Sequence, residues 1–323
     1  MQILPSYQLK KHINKDIFFF YECEYKQFIQ SDQKQLVQLK DQIYQESPNK
    51  DEETQIYISN YRKGTKTDQK IINQLINIFE GNQIIFKPKS VSASLIKGLN
   101  CFLNNHEVLY NFDQMIPLTQ FDDFNSKVCF NKKYIKTQDK SMPYILVKIR
   151  SGISFFLVNG IGNFKRISGS IMGESFVESL IFQLTKYRNI NQAFSDAFLK
   201  GNNKNVDMTV KDIYGEGCSF LGLPGDLIAS SFGKCSKYGP VEKYQSHDIA
   251  KSLLISFAVN TGQLINLYCS LEQQYNVIVS MWKIKSDEYN FTLQSVINYY
   301  SKGKCNIHFV EDSDYLSCVG DFV

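Results

Sequence analysis

Among side chains able to act as nucleophiles, metal ligands, acids or bases, cysteine and histidine are quickly surveyed. Eight cysteines stand at positions 23, 101, 129, 218, 235, 269, 305 and 318. There is no CxxC and no cysteine–histidine ligand pair, so these thiols read as small buried hydrophobes rather than a metal site or a disulfide framework. The four histidines, His12, His106, His247 and His308, are equally dispersed, which argues against a His-centred hydrolase. Two segments combine glycine with hydroxyl side chains: a tight turn at Ser151-Gly152 and the stretch Gly222–Gly233. Neither has a chemistry until the elements that position it are known.

The 323 residues are 43% hydrophobic, 21% charged and 14% aromatic, which describes a globular chain of one large or two modest domains. A net charge of +4 from 36 basic and 32 acidic residues is too slight to imply a nucleic-acid partner. No apolar run approaches the roughly 18 residues of a membrane span. Met1–Lys15 lacks a secretory h-region. A cytoplasmic protein with neither nucleic acid nor membrane as partner is therefore expected.

The first half alternates. Strands are expected at Asp16–Tyr21, Gln55–Ser59 and Gln83–Lys87, with helices near Thr67–Phe79 and over Val91–Leu103. Gln30–Glu53 is a charged, Gln-rich stretch, and Asp122–Ser141 has no period and reads as a loop. The second half is clearer. Tyr144–Arg150, Ile153–Val158 and Phe164–Ser168 are β-branched and aromatic runs joined by short turns, the pattern of a β-meander. Helical spacing follows over Glu174–Tyr187, with further helices predicted at Asn191–Lys200, Asn205–Tyr214, His247–Leu271 and Phe291–Ser301. Strands are expected at Val277–Met281 and Asn306–Val310, and a short helix at the C-terminus. Three antiparallel strands feeding parallel β-α units is the order of a ribonuclease-H-like lobe, the half-unit of the two-lobed actin, sugar-kinase and Hsp70 superfamily. The expected fold is α/β with an incomplete first lobe over 1–142 and a ribonuclease-H-like lobe over 143–323; a generic mixed α/β domain is the alternative that periodicity leaves open.

Four segments make the resemblance specific. Tyr144–Ser154 with Asn163–Ser170 reads YILVKIRSGIS…NFKRISGS, Asn205–Gly215 reads NVDMTVKDIYG, Leu221–Gly233 reads LGLPGDLIASSFG, and Leu95–Leu99 reads LIKGL. In order and spacing they resemble the eukaryotic-type (type II, fumble-like) pantothenate kinases, whose corresponding segments read LLVNIGSGVS…NYKRVTGT, NVDKLVKDIYG and FGLPGxxVASSFG. The resemblance runs from about Asp16 to Val323 and is strongest over Pro143–Gly233. It implies transfer of the γ-phosphoryl of ATP to the terminal hydroxyl of pantothenate, the committed step of coenzyme A synthesis. That chemistry needs donors and Mg²⁺ around the phosphates, a cation at the developing charge and a base for the hydroxyl.

Carried over residue by residue, the resemblance makes Arg166 the arginine that clamps the pantothenate and phosphate region, a task suited to a guanidinium fork. It makes Ser151, Gly152 and Ser154 the substrate turn, and Gly169, Ser170 and Gly173 the remnant of an ATP-binding glycine loop. No metal ligand is assigned. Departures are equally specific. Arg150 stands where the family has a glycine, and Glu174 and Ser175 replace two glycines of the ATP loop, so a carboxylate is expected to repel phosphates there. The base position falls on Val91, which accepts no proton, and His106 lies about 22 Å further along a helix. Asn60–Thr65 has lost the glycines of a family turn, the adenine-side turn falls on Val279-Ser280-Met281, and no DxGGT phosphate loop occurs. Lacking a base costs about 10²–10⁴ in rate, and one lost phosphate donor about 10²–10³.

The expectation is a pantothenate kinase family protein impaired in catalysis, with ATP and Mg²⁺ required if it is active and acetyl-CoA or CoA as a possible effector. The other reading is a pseudokinase: a pantothenate- or acyl-CoA-binding regulatory subunit, homodimeric or paired with an active paralogue through His247–Leu271. An active enzyme whose first strand and phosphate loop lie upstream of Met1 is a further reading. A sugar kinase of the same superfamily is the remotest.

Overall fold

The computed structural model describes residues 55–58, 77, 83–86, 91–103, 108–113, 131–135, 143–160, 162–218, 220, 222–281, 286–311, 313 and 316–317. The strand expected at 16–21, most of the helix expected over 67–79, the turn at 60–65 and His106 lie outside them. The chain divides into two compact units: residues 1–99 with 314–323, and residues 100–313. In the first, β1 (Gln55–Ile58) pairs in parallel with β2 (Gln83–Phe86), and α1 (Val91–Phe102) begins.

The second unit is built on a seven-stranded sheet. In chain order its strands are β3 (Leu109–Phe112), β4 (Lys132–Ile135), β5 (Tyr144–Ile149), β6 (Ile153–Gly160) and β7 (Asn163–Ser170). Then follow α2 (Glu174–Leu184), α3 (Ile190–Leu199), β8 (Met208–Thr209), α4 (Val210–Tyr214), β9 (Ile228–Ser230), α5 (Gly233–Tyr238) and the long α6 (Ser246–Glu272). The last elements are β10 (Asn276–Ser280), α7 (Asp287–Ser301) and β11 (Asn306–Val310). Across the sheet the order is β4-β3-β11-β10-β5-β6-β7. β5, β6 and β7 form an antiparallel meander, while β10 pairs in parallel with both β5 and β11. This is the ribonuclease-H-like strand order of an α/β fold.

The physical reason is visible strand by strand. β5 is central, so all of YILVKI except Lys148 is buried, and the sequence reads as an apolar run rather than an alternation. β7 is an edge strand with a mixed, largely exposed pattern. One apolar core joins Ile145, Val147 and Phe155 of the sheet to Val177 and Ile181 of α2, Phe194 and Phe198 of α3, and the inner faces of α6 and α7.

Five elements differ from the sequence expectation. β3 is not signalled by the sequence, and β4 falls within the supposed loop 122–141. Its residues KKYI offer no apolar face, so the strand is held instead by an edge cluster. Lys132 lies 4.0 Å from the Tyr110 ring centroid and 3.0 Å from Glu311, with Asp287 at 3.3 Å. α2 stops at Leu184, not 187: the Thr185 hydroxyl donates to Ile181 O, and the Arg188 guanidinium donates to Phe182 O and Thr185 O, satisfying the last-turn carbonyls. The helix expected over 205–214 breaks into a 3-10 turn (Asn203–Asn205), β8 and α4. α4 starts at a Thr209–Asp212 capping box, because each side chain bonds the other's backbone N–H. α7 begins four residues early at the Ser286 cap, whose hydroxyl accepts from Tyr289 N. Among the described residues no helix is long and apolar enough to cross a membrane.

Candidate functional site

The β5–β6 turn and the start of α2 meet at one end of the sheet. Arg150 N donates to Gly152 O at 2.8 Å, closing the turn, and Glu174 N donates to Arg150 O at 2.7 Å. One amide of the α2 N-terminus is thus satisfied by the turn's backbone rather than by a cap side chain; Gly173 supplies none. This contact requires glycine. A Cβ on Gly173 would lie 2.7 Å from both Gly152 Cα and Ser151 O and closer still to Arg150 O, and one on Gly152 would lie 2.7 Å from Ser170 O. Across the contact, Ser175 Oγ donates to Ser151 Oγ at 3.2 Å, and Met172 N donates to Ser170 Oγ at 3.2 Å. Ser151, Gly152, Ser170 and Gly173 are therefore one constellation.

Arg166 and Ser154 join it through an irregularity in β7. Phe155 pairs with Ser168 but Phe156 pairs with Arg166, leaving Ile167 as the extra residue of a bulge. In regular alternation residues 166 and 169 would face opposite sides of the sheet. The bulge returns them to one face, that of Ser154 and Phe156, while Phe155 and Ser168 face Tyr268 of α6. The Arg166 guanidinium consequently lies over Gly169: a Cβ there would lie 3.2 Å from Arg166 Cζ and 2.8 Å from Ile153 O. Arg166 is exposed and shares this sheet face with Ser154. This arrangement suits an anionic ligand lying along β6 and β7.

The departures from the family pattern occupy the adjoining edge. The Arg150 side chain donates through Nη2 to Ser313 Oγ at 3.3 Å, and Ser313 Oγ donates to Met281 O at 2.8 Å. This relay ties the end of β5 to the end of β10, where Ser280 is fully buried. Glu174, expected to shield the helix end from phosphates, is 2% exposed and turns into the interior. Complete burial, with a smaller contribution from the Glu174 charge, raises the pKa of Tyr289 on α7. Glu174 is thus a first-turn residue of α2 whose carboxylate faces the core. Val91 is the first residue of α1 and belongs to the other unit. Among the described residues no group of three or more His, Cys, Asp or Glu side chains is placed to hold a metal ion.

A carboxylate that spacing does not single out organises the second glycine-rich region. Asp207, fully buried, accepts from Phe232 N at 2.9 Å, from Asn203 Nδ2 at 2.9 Å and from the Ser252 hydroxyl of α6. Phe232 has φ 58°, a left-handed conformation costly for a β-carbon residue, and the Asp207 contact fixes it at the start of α5. Burial outweighs these donors and raises the pKa of Asp207. Beside it, Asp248 of α6 accepts from Asn202 N at 2.7 Å and Asn205 Nδ2 at 2.9 Å, and buried Lys251 donates to Gly201 O at 2.9 Å. The motifs NVDMTVKDIYG and LPGDLIASSFG are thus joined to each other and to α6 through Asp207. The only local signal is an aspartate within a matched motif.

The sheet order and the turn packed on a helix start define an α/β protein of the ribonuclease-H-like class. A family model described as Fumble matches residues 8–323. Pantothenate kinase 1 of Arabidopsis thaliana is 30% identical over 243 residues, 74% of this chain and 60% of that protein. The 4'-phosphopantetheine phosphatase of Mus musculus is 33% identical over 238 residues, 73% of this chain and 27% of that one. Among solved structures, a ROK family glucokinase from Streptomyces griseus in complex with glucose and AMPPNP aligns with a TM-score of 0.33 and 10% identity, covering 77% of this chain and 69% of that one. This chain belongs to the Fumble family, the eukaryotic-type pantothenate kinases. Its matches span less than two thirds of the length of these two curated relatives.

Proposed function

We propose that this chain binds pantothenate on the face formed by Ser151, Ser154 and Arg166 and phosphorylates it from MgATP far more slowly than a fully equipped family member. The observation that carries the binding half is the bulge that brings Arg166, Ser154 and Gly169 to one face beside the Ser151-Gly152 turn. The impairment rests on the substitutions. A valine stands at the base position, and the Arg150 side chain bonds Ser313 where the family carries a glycine. Without a general base about 10²–10⁴ in rate is forfeited. Arg166 would hold the pantothenate carboxylate or the developing phosphoryl charge, and the Ser151 and Ser154 hydroxyls would orient the substrate. MgATP enters as a substrate whose phosphates would approach Gly169, Ser170 and Gly173.

The test is calorimetric binding of pantothenate to the purified 323-residue chain, together with pantothenate-dependent ADP release. Expected are saturable pantothenate binding that weakens about tenfold or more in Arg166→Ala, and turnover at least about 10²-fold below that of an active family member. Robust phosphorylation overturns the impairment; undetectable pantothenate binding overturns the substrate site. Val91→Glu alone should not restore turnover, because the phosphate loops have also lost their glycines. Thermal shift with acetyl-CoA tests the effector role.

A second reading, a dimerising regulatory subunit, is favoured by one feature. Leu267 and Leu271, one turn apart on α6, are 49% and 67% exposed. Light scattering of the chain alone and mixed with an active paralogue tests it; a monomer in both samples removes it.

A further inference from the structure

Arg166 stands in a bulge whose flanking residues are both tied to α6. Against β6, Leu157 pairs with Lys165, Phe156 with Arg166 and Phe155 with Ser168. Lys165 and Ser168 therefore share the sheet face of Leu157 and Phe155, while Arg166 and Gly169 share that of Phe156 and Ser154. Residues three apart face opposite sides of a regular strand. Here the extra residue, Ile167, brings Lys165 and Ser168 to one side.

The end of α6 matches that spacing. The Ser168 hydroxyl donates to the Tyr268 hydroxyl, and Lys165 Nζ lies 3.2 Å from Glu272 Oε2. Tyr268 and Glu272 are about one turn apart on the helix. The sheet seats the Tyr268 ring, whose centroid lies 4.7 Å from that of fully buried Phe155. Its hydroxyl is thus presented to Ser168 by a packed ring. The two contacts are unequal. The Lys165 side chain is 61% exposed, and an exposed ion pair holds little, so the part-buried hydroxyl pair supplies most of the restraint.

β7 needs such a restraint. It ends the sheet, with β6 as its strand neighbour among the described residues. Register is weakly specified in polar, glycine-containing edge strands, and NFKRISGS is one. A slip that removed the bulge would return residue 166 to the face of Phe155 and take it away from Ser154. Contact with α6 on both sides of the bulge opposes that slip.

We propose that Tyr268 is a positioning residue for substrate binding: through Ser168 it holds the β7 bulge, and the bulge keeps Arg166 over Gly169 on the ligand face. Its role in binding rests on that face being the pantothenate site. Tyr268 lies on the other side of the sheet from Ser154 and acts only through the strand. The reach of Arg166 is therefore set from α6, about a hundred residues later in the chain.

The test is pantothenate calorimetry on the full chain and on Tyr268→Phe, Ser168→Ala and Arg166→Ala, singly and combined, with amide hydrogen exchange read over β6 and β7. Tyr268→Phe removes the hydroxyl and keeps the ring on Phe155. It should weaken pantothenate binding about threefold to tenfold, the range of one neutral hydrogen bond. Ser168→Ala should match it, and the two together should be no worse than either alone. In an Arg166→Ala background, Tyr268→Phe should change binding by less than about twofold, because the positioned group is gone. A fall there as large as in the wild-type background marks a general loosening of the fold and overturns the proposal. Exchange at residues 166–169 should rise about threefold or more in Tyr268→Phe while the β5–β6 amides keep their protection. Unchanged exchange at 166–169 overturns the proposal whatever the ligand does, and it decides where Arg166→Ala binds too weakly to titrate. A wild-type chain that binds no pantothenate removes the substrate site and with it the role in binding, while the exchange pattern still decides whether Tyr268 holds the bulge.

Discussion

Two glycine-rich regions look alike in sequence and are held by opposite means. Around Ser151–Gly173, backbone packs directly on backbone: Gly152 and Gly173 are glycines because a Cβ would strike main-chain atoms, and neither has a positive φ. Around Asn203–Gly233, Gly215 and Gly222 serve conformation instead, and the side chain that Gly233 excludes would strike another side chain, Met208, at 2.7 Å. Gly215 closes α4 at φ 82°, and a Cβ placed there would meet nothing within 4 Å. There the close contacts come from one side chain, Asp207, which gathers Phe232, Asn203 and Ser252. The first region is joined where side chains are missing and the second chiefly through one that is present. A glycine motif therefore states that a side chain is excluded, and only its neighbours say why.

Substitutions that exchange these two modes should separate the regions. The largest effect is expected for Asp207→Ala, which orphans a buried backbone N–H, an amide and a hydroxyl at once, at about 3–4 kcal/mol by urea denaturation. It also has a pH signature. Because burial raises the pKa of Asp207 in the fold, the folded chain takes up this proton at a higher pH than the unfolded chain does. The group's contribution to stability consequently grows as pH falls through its folded pKa and levels off below the ordinary carboxylate value near 4. The stability gap between wild type and Asp207→Ala should widen as pH falls from neutrality toward the ordinary carboxylate value near 4; a constant or narrowing gap would sink the assignment.

Gly173→Ala comes next, at about 2–3 kcal/mol, since three backbone atoms cannot all retreat. It should also abolish pantothenate binding, whereas Asp207→Ala, if folded at low temperature, should retain it. Gly169→Ala is milder, at about 1–2 kcal/mol, because the displaced group is partly the long, exposed Arg166 side chain. It should weaken pantothenate binding more than its stability loss suggests, as read by calorimetry at a temperature where the variant is fully folded. Gly215→Ala should be smallest, about 1 kcal/mol from the left-handed backbone alone, with Gly215→Asn recovering part of it. A Gly215→Ala loss matching that of Gly173→Ala would erase the distinction between the regions.

Much of the scaffold is legible in the residues. β5, β6, β11 and α6 lie within two residues of their expected bounds, because each carries its own period and a buried face. β4 is not legible, since Lys132-Lys133-Tyr134-Ile135 has no apolar alternation and owes its place to Tyr110, Asp287 and Glu311, far away in the chain. The Ser286 cap and the Thr209–Asp212 box are readable local signals that helical spacing alone overrides. Glu174 reads in sequence either as a carboxylate repelling phosphates or as a first-turn helix residue, and only its burial in the fold decides for the second.

The sequence by itself determined the family and the strand meander and helices of the ribonuclease-H-like order, because local periodicity and residue identity are properties of short stretches of chain. Only the tertiary structure decided that a bulge at Ile167 brings Arg166 over Gly169 and that Asp207 binds two motifs to α6. Each of these is set where strands pair or helices pack, by hydrogen bonds and excluded volume between segments whose separation no spacing rule encodes.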